Sequence, residues 1–221
     1  MTEEKWGRVD EYLSSLMVPD DEALQNALRT SSQAGLPPIQ VSAVQGKFLY
    51  LLARSVKARR VLEIGTLGAY STIWLARALD AGGQLITLES EPLHAKVAQA
   101  NIRAAGLDSV VDLRLGPALD ALPVLVSEKA GPFDLIFIDA DKVNTPSYFE
   151  WSLKLSRSGT VIIVDNVVRK GAIADPSSED PAVQAMQRFV SMLGAEPRVS
   201  ATALQIVGAK GYDGFALALV L

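Results

Sequence analysis

Two short polar segments, each directly after an apolar run of strand length, carry residues that could do chemistry. Leu135–Ile138 is followed by Asp139-Ala140-Asp141-Lys142, and Thr160–Val164 is followed by Asp165-Asn166. If the two runs are neighbouring strands of one sheet, their carboxylates and the amide meet at the same edge. Oxygen ligands of this kind suit a hard cation such as Mg²⁺, which keeps places for water or substrate. The candidate metal ligands are Asp139, Asp165 and Asn166.

The same residues have ordinary structural interpretations. Asp139 could be a helix N-cap, and Asp165-Asn166 could be a simple turn. Lys142 lies three residues after Asp139, close enough for its amine to reach a substrate held by the metal. A lysine beside a dication gives up its proton more readily and can act as a base, although it could also be a surface lysine. The joint placement of these residues, beside the cofactor pattern that follows, favours the catalytic interpretation.

A segment with two glycines follows the first predicted strand, Val61–Ile64. It begins at Gly65, reaches Gly68 and runs into a predicted helix. Glycine lets the backbone approach a ligand closely, and the start of a helix offers free N–H groups. The third glycine of a dinucleotide-binding loop is missing, and Glu63 would repel a pyrophosphate. That carboxylate suits the cationic amino-acid end of S-adenosylmethionine, so the segment favours this cofactor over a dinucleotide.

The next two predicted strands end in residues that complete the pattern. Gln84–Leu88 is followed by Glu89, a carboxylate that can accept hydrogen bonds from both ribose hydroxyls. Val111–Leu115 is followed by Gly116-Pro117-Ala118, where small residues leave room for an adenine ring. A solvated acid before a helix and an ordinary turn are the structural alternatives. Taken together, the three strand ends form a moderately specific cofactor pattern.

Alternating strands and helices from Arg60 onward must position these strand ends. The alternation predicts an α/β fold with a mainly parallel sheet and helices on both faces. The helices predicted between the strands are Ser71–Leu79, Leu93–Ala105, Ala118–Ser127 and Tyr148–Leu155. Before the first strand the chain is predicted to be helical over Glu3–Met17, Asp21–Gln33 and Ser42–Val56.

The end of the chain departs from this alternation. A helix is predicted over Ala182–Leu193, followed by strands at Val199–Val207 and Phe215–Val220. The intervening Gly211-Tyr212-Asp213-Gly214 predicts a hairpin turn, so the last strand should run antiparallel to the others. A parallel sheet closed by one reversed strand is characteristic of a large class of methyltransferases.

The composition narrows the class of protein. The 221 residues are 49% hydrophobic and 21% charged, which suits one globular α/β domain. No apolar run approaches the ~20 residues that span a bilayer, and Met1–Asp10 lacks the apolar region of a secretory signal, so a cytoplasmic protein is expected. The absence of cysteine excludes thiolate chemistry, and the net charge of −4 argues against a nucleic-acid partner. The only histidine, His94, has no partner ligand and is predicted to be structural or at the surface.

These segments together resemble the cation-dependent class I O-methyltransferases, which include catechol and caffeoyl-coenzyme A O-methyltransferases. The likeness runs from Gln40-Val41-Ser42 to Lys210–Phe215 and looks most like the bacterial members. The Asp-Ala-Asp-Lys run with the later Asp-Asn is its most specific part. It implies a Rossmann-like class I methyltransferase fold, with a seven-stranded, mainly parallel sheet containing one antiparallel strand. One domain would span residues 1–221, with a helical region for substrate binding and dimer formation at 1–55 and the core at 56–221.

The resemblance also implies an activity, namely methyl transfer to a hydroxyl of a vicinal dihydroxy aromatic such as a caffeoyl or flavonoid compound. It implies a divalent cation (Mg²⁺, with Mn²⁺ or Ca²⁺ as alternatives) held by the three candidate ligands, Lys142 as catalytic base, and a homodimer. Asp139 would act both in catalysis and near the methyl-donor end of the cofactor, and Asp141 occupies a substrate position of the coenzyme A branch. The residues implied to contact S-adenosylmethionine are Val41, Glu63, Gly65, Thr66, Ser71, Glu89, Ala118 and Asp139.

Two departures from the plant enzymes leave the acceptor open. Val41 stands where they have a threonine, so only a backbone contact survives there. Val167-Val168-Arg169-Lys170 stands where they carry a tryptophan, and the two basic residues, Lys170 in particular, favour an acidic acceptor. Other functions remain as alternatives: a metal-independent methyltransferase, a dinucleotide oxidoreductase, and a non-catalytic S-adenosylmethionine-binding or dimerisation module.

Overall fold

The computed structural model describes residues 2–221 and contains eight α-helices and seven strands within that range. The helices are α1 (Glu3–Met17), α2 (Glu22–Gln33), α3 (Ala43–Ser55), α4 (Tyr70–Arg77), α5 (Pro92–Ala104), α6 (Ala118–Ser127), α7 (Thr145–Lys154) and α8 (Pro181–Ala195). The strands are β1 (Arg60–Ile64), β2 (Gln84–Glu89), β3 (Val111–Leu115), β4 (Leu135–Ile138), β5 (Val161–Asp165), β6 (Val199–Gly208) and β7 (Gly211–Val220). None of these helices combines the length and the apolar character needed to cross a bilayer.

All seven strands join one sheet in the order β3-β2-β1-β4-β5-β7-β6. The first five are parallel, whereas β7 lies between β5 and β6 and pairs antiparallel with both. The predicted sheet, mainly parallel with one reversed strand, is therefore confirmed. In the register of the sheet Ile64 pairs with both Leu88 and Ile138, and Ile138 pairs with Val164. The carboxyl ends of β1, β2, β4 and β5 are consequently level, so the residues that follow them share one edge.

The core lies on both faces of this sheet, which is why the central strands are continuous apolar runs. Alternate residues point to opposite faces: Val61, Leu135 and Ile163 pack with α2 to α5, whereas Leu62 and Ile136 pack with α6 to α8. Every residue of β4 and β5 is buried. Polar side chains can therefore emerge only where these strands end.

The N-terminal helices are fastened to the sheet by polar contacts as well as by the core. Asn101 of α5 is almost completely buried; it accepts a hydrogen bond from Thr30 Oγ1 at 2.7 Å and donates one to the carbonyl of Gly68 at 3.0 Å. Asp21 caps α2 and forms a 2.7 Å ion pair with Arg77 of α4. These contacts tie α2 to α4 and to the segment that precedes it.

The predicted hairpin at the end of the chain is present, but its turn lies at other residues than predicted. The turn is formed by Ala209 and Lys210, because Gly208 already pairs with Gly211, so the Asp213-Gly214 pair lies inside β7. Asp213 is used elsewhere: its Oδ1 accepts hydrogen bonds from the backbone N–H groups of Val168, Arg169 and Gly214. Tertiary contacts thus override the local turn preference of Asp-Gly. The other elements differ from their predicted bounds by a few residues at most.

A substitution at Gly65 would test whether the ends of β1 and β4 lie as close together as the structure shows. Its φ is +101°, and a Cβ at this position would lie 2.1 Å from the carbonyl oxygen of Asp139. We expect Gly65→Ala to lower the free energy of unfolding by roughly 3 kcal/mol or more, because strain and a backbone clash add. Gly106→Ala is the matched control, since Gly106 has φ +70° but open space around a Cβ. It should cost only about 1–2 kcal/mol. Equal losses of stability for the two variants in urea unfolding would contradict the close approach of Gly65 to Asp139.

Candidate active site

A cavity of about 560 Å³ opens at the edge of the sheet where β1 to β5 end. Its wall is built from the segments after these strands and from the loop before α3. Most of the residues predicted from the sequence line it: Val41, Gly65, Thr66, Ser71, Glu89, Ala118, Asp139, Asp141, Lys142 and Asn166. Three predicted residues do not line it, namely Glu63, Asp165 and Lys170. Glu63 and Asp165 are buried behind the wall, whereas Lys170 is exposed.

The acidic cluster is held by short contacts between β4, β5 and α3. Nζ of Lys142 donates to Oδ1 of Asp139 at 2.9 Å. Oδ2 of Asp165 accepts from Nε2 of Gln45 at 2.7 Å, and Oδ1 accepts from the backbone N–H of Asn166 at 2.8 Å. The backbone of Asn166 is left-handed, with φ +59°. Asparagine tolerates this conformation, which places its amide in the cavity wall beside the carboxylates.

The electrostatics of this cluster suit a bound cation. Burial, together with the negative charge of Asp139, raises the pKa of Asp165 to about 7 against the opposing effect of Lys142. Two carboxylates that repel each other in a buried place are stabilised by a positive charge between them. No group of three His, Cys, Asp or Glu side chains within residues 2–221 forms a metal site. A cation would therefore be held by two carboxylates and one amide, a small oxygen set of the kind that Mg²⁺ accepts.

Glu63 was predicted to contact the cofactor, but it does not line the cavity. Its side chain is completely buried and accepts hydrogen bonds from the hydroxyls of Ser71 (2.6 Å), Thr72 (2.5 Å) and Thr87 (2.7 Å). Burial raises its pKa to about 7, although the three donors favour the ionised form. Of these donors Ser71 lines the cavity. Glu63 therefore orients Ser71 from behind the wall.

Glu89 fastens the glycine segment to the end of β2. Its Oε2 accepts from the backbone N–H groups of Thr66 (3.3 Å) and Leu67 (2.7 Å), and its Oε1 accepts from that of Glu91 (3.0 Å). His94, predicted to be structural or at the surface, also lines the cavity, with Nδ1 3.6 Å from Oε1 of Glu89. The signal that could have placed it is its position in the first turn of a helix that begins at this edge.

Two residues at or behind the wall, Gln45 and Tyr148, were not assigned a role from the sequence, whereas Arg169 was predicted, with Lys170, to favour an acidic acceptor. Gln45 was missed because its partner, Asp165, lies 120 residues away. Tyr148 donates to Oδ1 of Asp141 at 2.5 Å, and burial together with that carboxylate raises the pKa of the phenol. Arg169 lines the cavity, whereas its neighbour Lys170 does not. Local spacing could not separate these two basic residues, since both follow β5 in an irregular segment.

The buried carboxyl of Glu63 generates a prediction about pH. Its pKa rises from an ordinary value of 4.5 to about 7 in the folded protein, so the folded state keeps a proton that the unfolded chain has lost. Stability from this group is therefore present below pH 4.5 and is lost as the pH rises towards 7. The unfolding free energy of wild type minus that of Glu63→Gln should fall by up to roughly 1.4 kcal/mol per pH unit across this window.

Urea unfolding of both proteins between pH 4.5 and 8 would measure this difference, and the subtraction removes the contribution of other titrating groups. Thr72→Val removes one donor that favours the ionised carboxyl, so in that background the fall should extend to higher pH. A difference that stays flat, or that grows with pH, would contradict the buried position of Glu63.

Comparison with known proteins places these features in a family. The sequence model of a family described as O-methyltransferase matches residues 14–219. A catechol O-methyltransferase of Niastella koreensis is 57% identical over 212 residues, covering 96% of each chain. The solved structure of an O-methyltransferase from Bacillus cereus in complex with SAH is 55% identical, covers 100% of both chains and has a TM-score of 0.98.

A third relative supports the same assignment. The structure of TomG, an O-methyltransferase from Streptomyces achromogenes involved in tomaymycin synthesis and solved with SAM, is 51% identical. It covers 100% of this chain and 99% of that one, with a TM-score of 0.96. The fold is thus that of the class I methyltransferases. With a family match over nearly its whole length and a shared fold, this chain belongs to the O-methyltransferase family.

Proposed function

We propose that this chain is an S-adenosylmethionine-dependent, divalent-metal-dependent O-methyltransferase whose acceptor is a vicinal dihydroxy aromatic. One observation carries the proposal: Asp139, Lys142 and Asn166 line the same cavity as the glycine segment, with Asp165 directly behind them. The name of the Niastella koreensis relative, a catechol O-methyltransferase, supports this acceptor class. Caffeoyl and flavonoid compounds are members of it.

The cofactor part of the proposal rests on the half of the cavity formed by β1 to β3. The solved relatives hold SAH or SAM, which supports the same cofactor here. When bound, S-adenosylmethionine supplies a methyl group on a positively charged sulfur. Glu89, anchored by three backbone N–H groups, would accept hydrogen bonds from the ribose. The remaining proposed contacts are Val41, Gly65, Thr66, Ser71, Ala118 and Asp139, with Glu63 acting through Ser71.

The metal part of the proposal rests on the ends of β4 and β5. Asp139, Asp165 and Asn166 would hold the cation, because their oxygens form a hard donor set and the two carboxylates repel each other without it. A bound Mg²⁺ would stabilise the phenolate and fix the direction of its oxygen. Gln45 keeps the Asp165 carboxylate in place from the far side. Mn²⁺ and Ca²⁺ share the preference for oxygen and are the alternatives to Mg²⁺.

Lys142 would move the proton. Its side chain is only 11% exposed, and Asp139 holds its Nζ at 2.9 Å in the cavity wall. In its uncharged form the amine takes the proton of the acceptor hydroxyl, and that oxygen then takes the methyl group as the bond from carbon to sulfur breaks. The products are a methyl ether, S-adenosylhomocysteine and a protonated lysine. The cavity wall contributes by holding oxygen and methyl carbon in line, an orientation effect that supplies several kcal/mol.

Two other functions are less well supported. A metal-independent methyltransferase would use the glycine segment and Glu89 but would leave Asp165 and Asn166 without a purpose. A non-catalytic S-adenosylmethionine-binding module would have no need of Lys142 beside Asp139. The same experiment tests both alternatives.

Removal of the metal should abolish turnover. We expect methyl transfer to caffeic acid, with S-adenosylmethionine and Mg²⁺, to fall by about 100-fold or more in EDTA and in Asp165→Asn, since the phenol then stays protonated. Asp120→Asn is the matched control, because Asp120 is exposed on α6. Calorimetric binding of S-adenosylmethionine should stay within about 3-fold in both variants. Turnover that survives EDTA would instead favour the metal-independent function.

We also propose that the protein acts as a homodimer and that residues 1–55 serve substrate binding and dimer formation. Helix α1 exposes Val9, Tyr12 and Leu16, apolar side chains of the kind that subunits cover. Sedimentation at micromolar concentration should show a dimer for the wild type and a shift towards monomer for Tyr12→Asp, with the control Glu11→Gln unchanged. A monomeric wild type would contradict this part of the proposal.

A further inference from the structure

Arg169 lies in the cavity wall with an unsatisfied guanidinium nitrogen. Its Nε is buried and has no hydrogen-bond partner among residues 2–221, and Arg169 takes part in none of the ion pairs of that range. A buried donor without an acceptor costs about 1–3 kcal/mol, more when the group is charged. An acceptor supplied by a bound molecule would remove that cost.

The acidic residues that follow β4 and β5 bond to other groups, and none of them forms an ion pair with Arg169. Asp139 pairs with Lys142, and the two oxygens of Asp165 are bonded to Gln45 and to the backbone of Asn166. Asp141 accepts from Tyr148 with Oδ1 and from the amide of Asn144 with Oδ2. The positive charge of Arg169 is thus left for something that enters the cavity.

The backbone at Arg169 is held in place before any ligand arrives. Arg169 and Lys170 have φ values of +54° and +56°, a left-handed conformation that costs roughly 1–2 kcal/mol per residue. Oδ1 of Asp213 accepts hydrogen bonds from the N–H groups of Val168 and Arg169, both at 3.0 Å, and so stabilises this conformation. A guanidinium on a fixed backbone loses less freedom when it binds, which strengthens its interaction with an anion.

The position of Arg169 indicates which ligand it serves. It follows β5, only three residues after Asn166, on the side of the cavity proposed to hold the cation and the acceptor. Most of the proposed cofactor residues instead lie in or after β1, β2 and β3, with two exceptions, Val41 before α3 and Asp139 after β4. Lys170, the other basic residue of this segment, is exposed and does not line the cavity. An anionic group on the acceptor is therefore the partner that the geometry favours.

We propose that Arg169 is a specificity-determining residue that pairs with a carboxylate of the acceptor, so that the preferred acceptors are vicinal dihydroxy aromatic acids. This rests on the proposed function. A carboxylate can accept two parallel N–H bonds from a guanidinium, which gives both strength and a fixed orientation of the ring. The neutral ester or aldehyde of the same ring lacks this second anchor.

The test compares 3,4-dihydroxybenzoate with its methyl ester in wild type, Arg169→Gln and the control Lys170→Gln. In Arg169→Gln we expect KM for the acid to rise about 10-fold or more, while kcat for both compounds and KM for the ester stay within about 3-fold. Lys170→Gln should change neither KM. Calorimetry with S-adenosylhomocysteine and Mg²⁺ present should show that Kd rises in Arg169→Gln for the acid and not for the ester. Arg169→Lys should restore part of the affinity for the acid.

Other outcomes would overturn the inference. If Arg169→Gln impaired turnover of the acid and the ester equally, Arg169 would have a structural role. If KM changed for neither compound, Arg169 would have no role in acceptor binding. Weaker binding of S-adenosylmethionine to Arg169→Gln, with the ratio of acid to ester unchanged, would assign the residue to the cofactor. If wild type methylated neither compound, the proposed function would fail and this inference with it. If wild type methylates the ester, the proposed function stands, and a negative result then concerns only the role of Arg169.

Discussion

The contact between the backbone of Gly65 and the carbonyl of Asp139 is the constraint on which the site depends. The two residues follow adjacent parallel strands whose last residues, Ile64 and Ile138, are paired, so their backbones meet where the sheet ends. A side chain at position 65 would push these strand ends apart. Because they stay together, the cofactor segment and the acidic cluster share one cavity, and a methyl donor and an oxygen nucleophile can be held against each other.

The N-terminal region is part of this arrangement rather than an appendage to it. Gln45 of α3 supplies the donor that orients Asp165, and Asn101 of α5 joins the segment after β1 to α2. The hairpin tip contributes too, since Nζ of Lys210 donates to the carbonyl of Pro38 at 2.9 Å, next to the loop that lines the cavity. Contacts that span most of the chain therefore set the shape of a site whose chemistry is carried by a few strand ends.

Much of the fold and part of the site could be predicted from the sequence. Apolar runs rich in β-branched residues and ended by Gly or Asp locate the strand ends, and the pattern identified the family correctly. What could not be predicted depends on partners distant in sequence. The burial of Glu63 follows from hydroxyls on α4 and β2, the position of the hairpin turn follows from the use of Asp213 by a distant loop, and the difference between Arg169 and Lys170 follows from a left-handed backbone that no local spacing encodes.

Asp213 holds the segment after β5 by its backbone N–H groups and not by its side chains. The conformation of that segment is therefore largely independent of which side chains it carries. A change at position 169 alters the cavity wall while Asn166, a few residues earlier, stays where it is. The composition of this part of the wall is in this way separated from the backbone that positions Asn166, so a new side chain at position 169 would not require the rest of the site to be rebuilt.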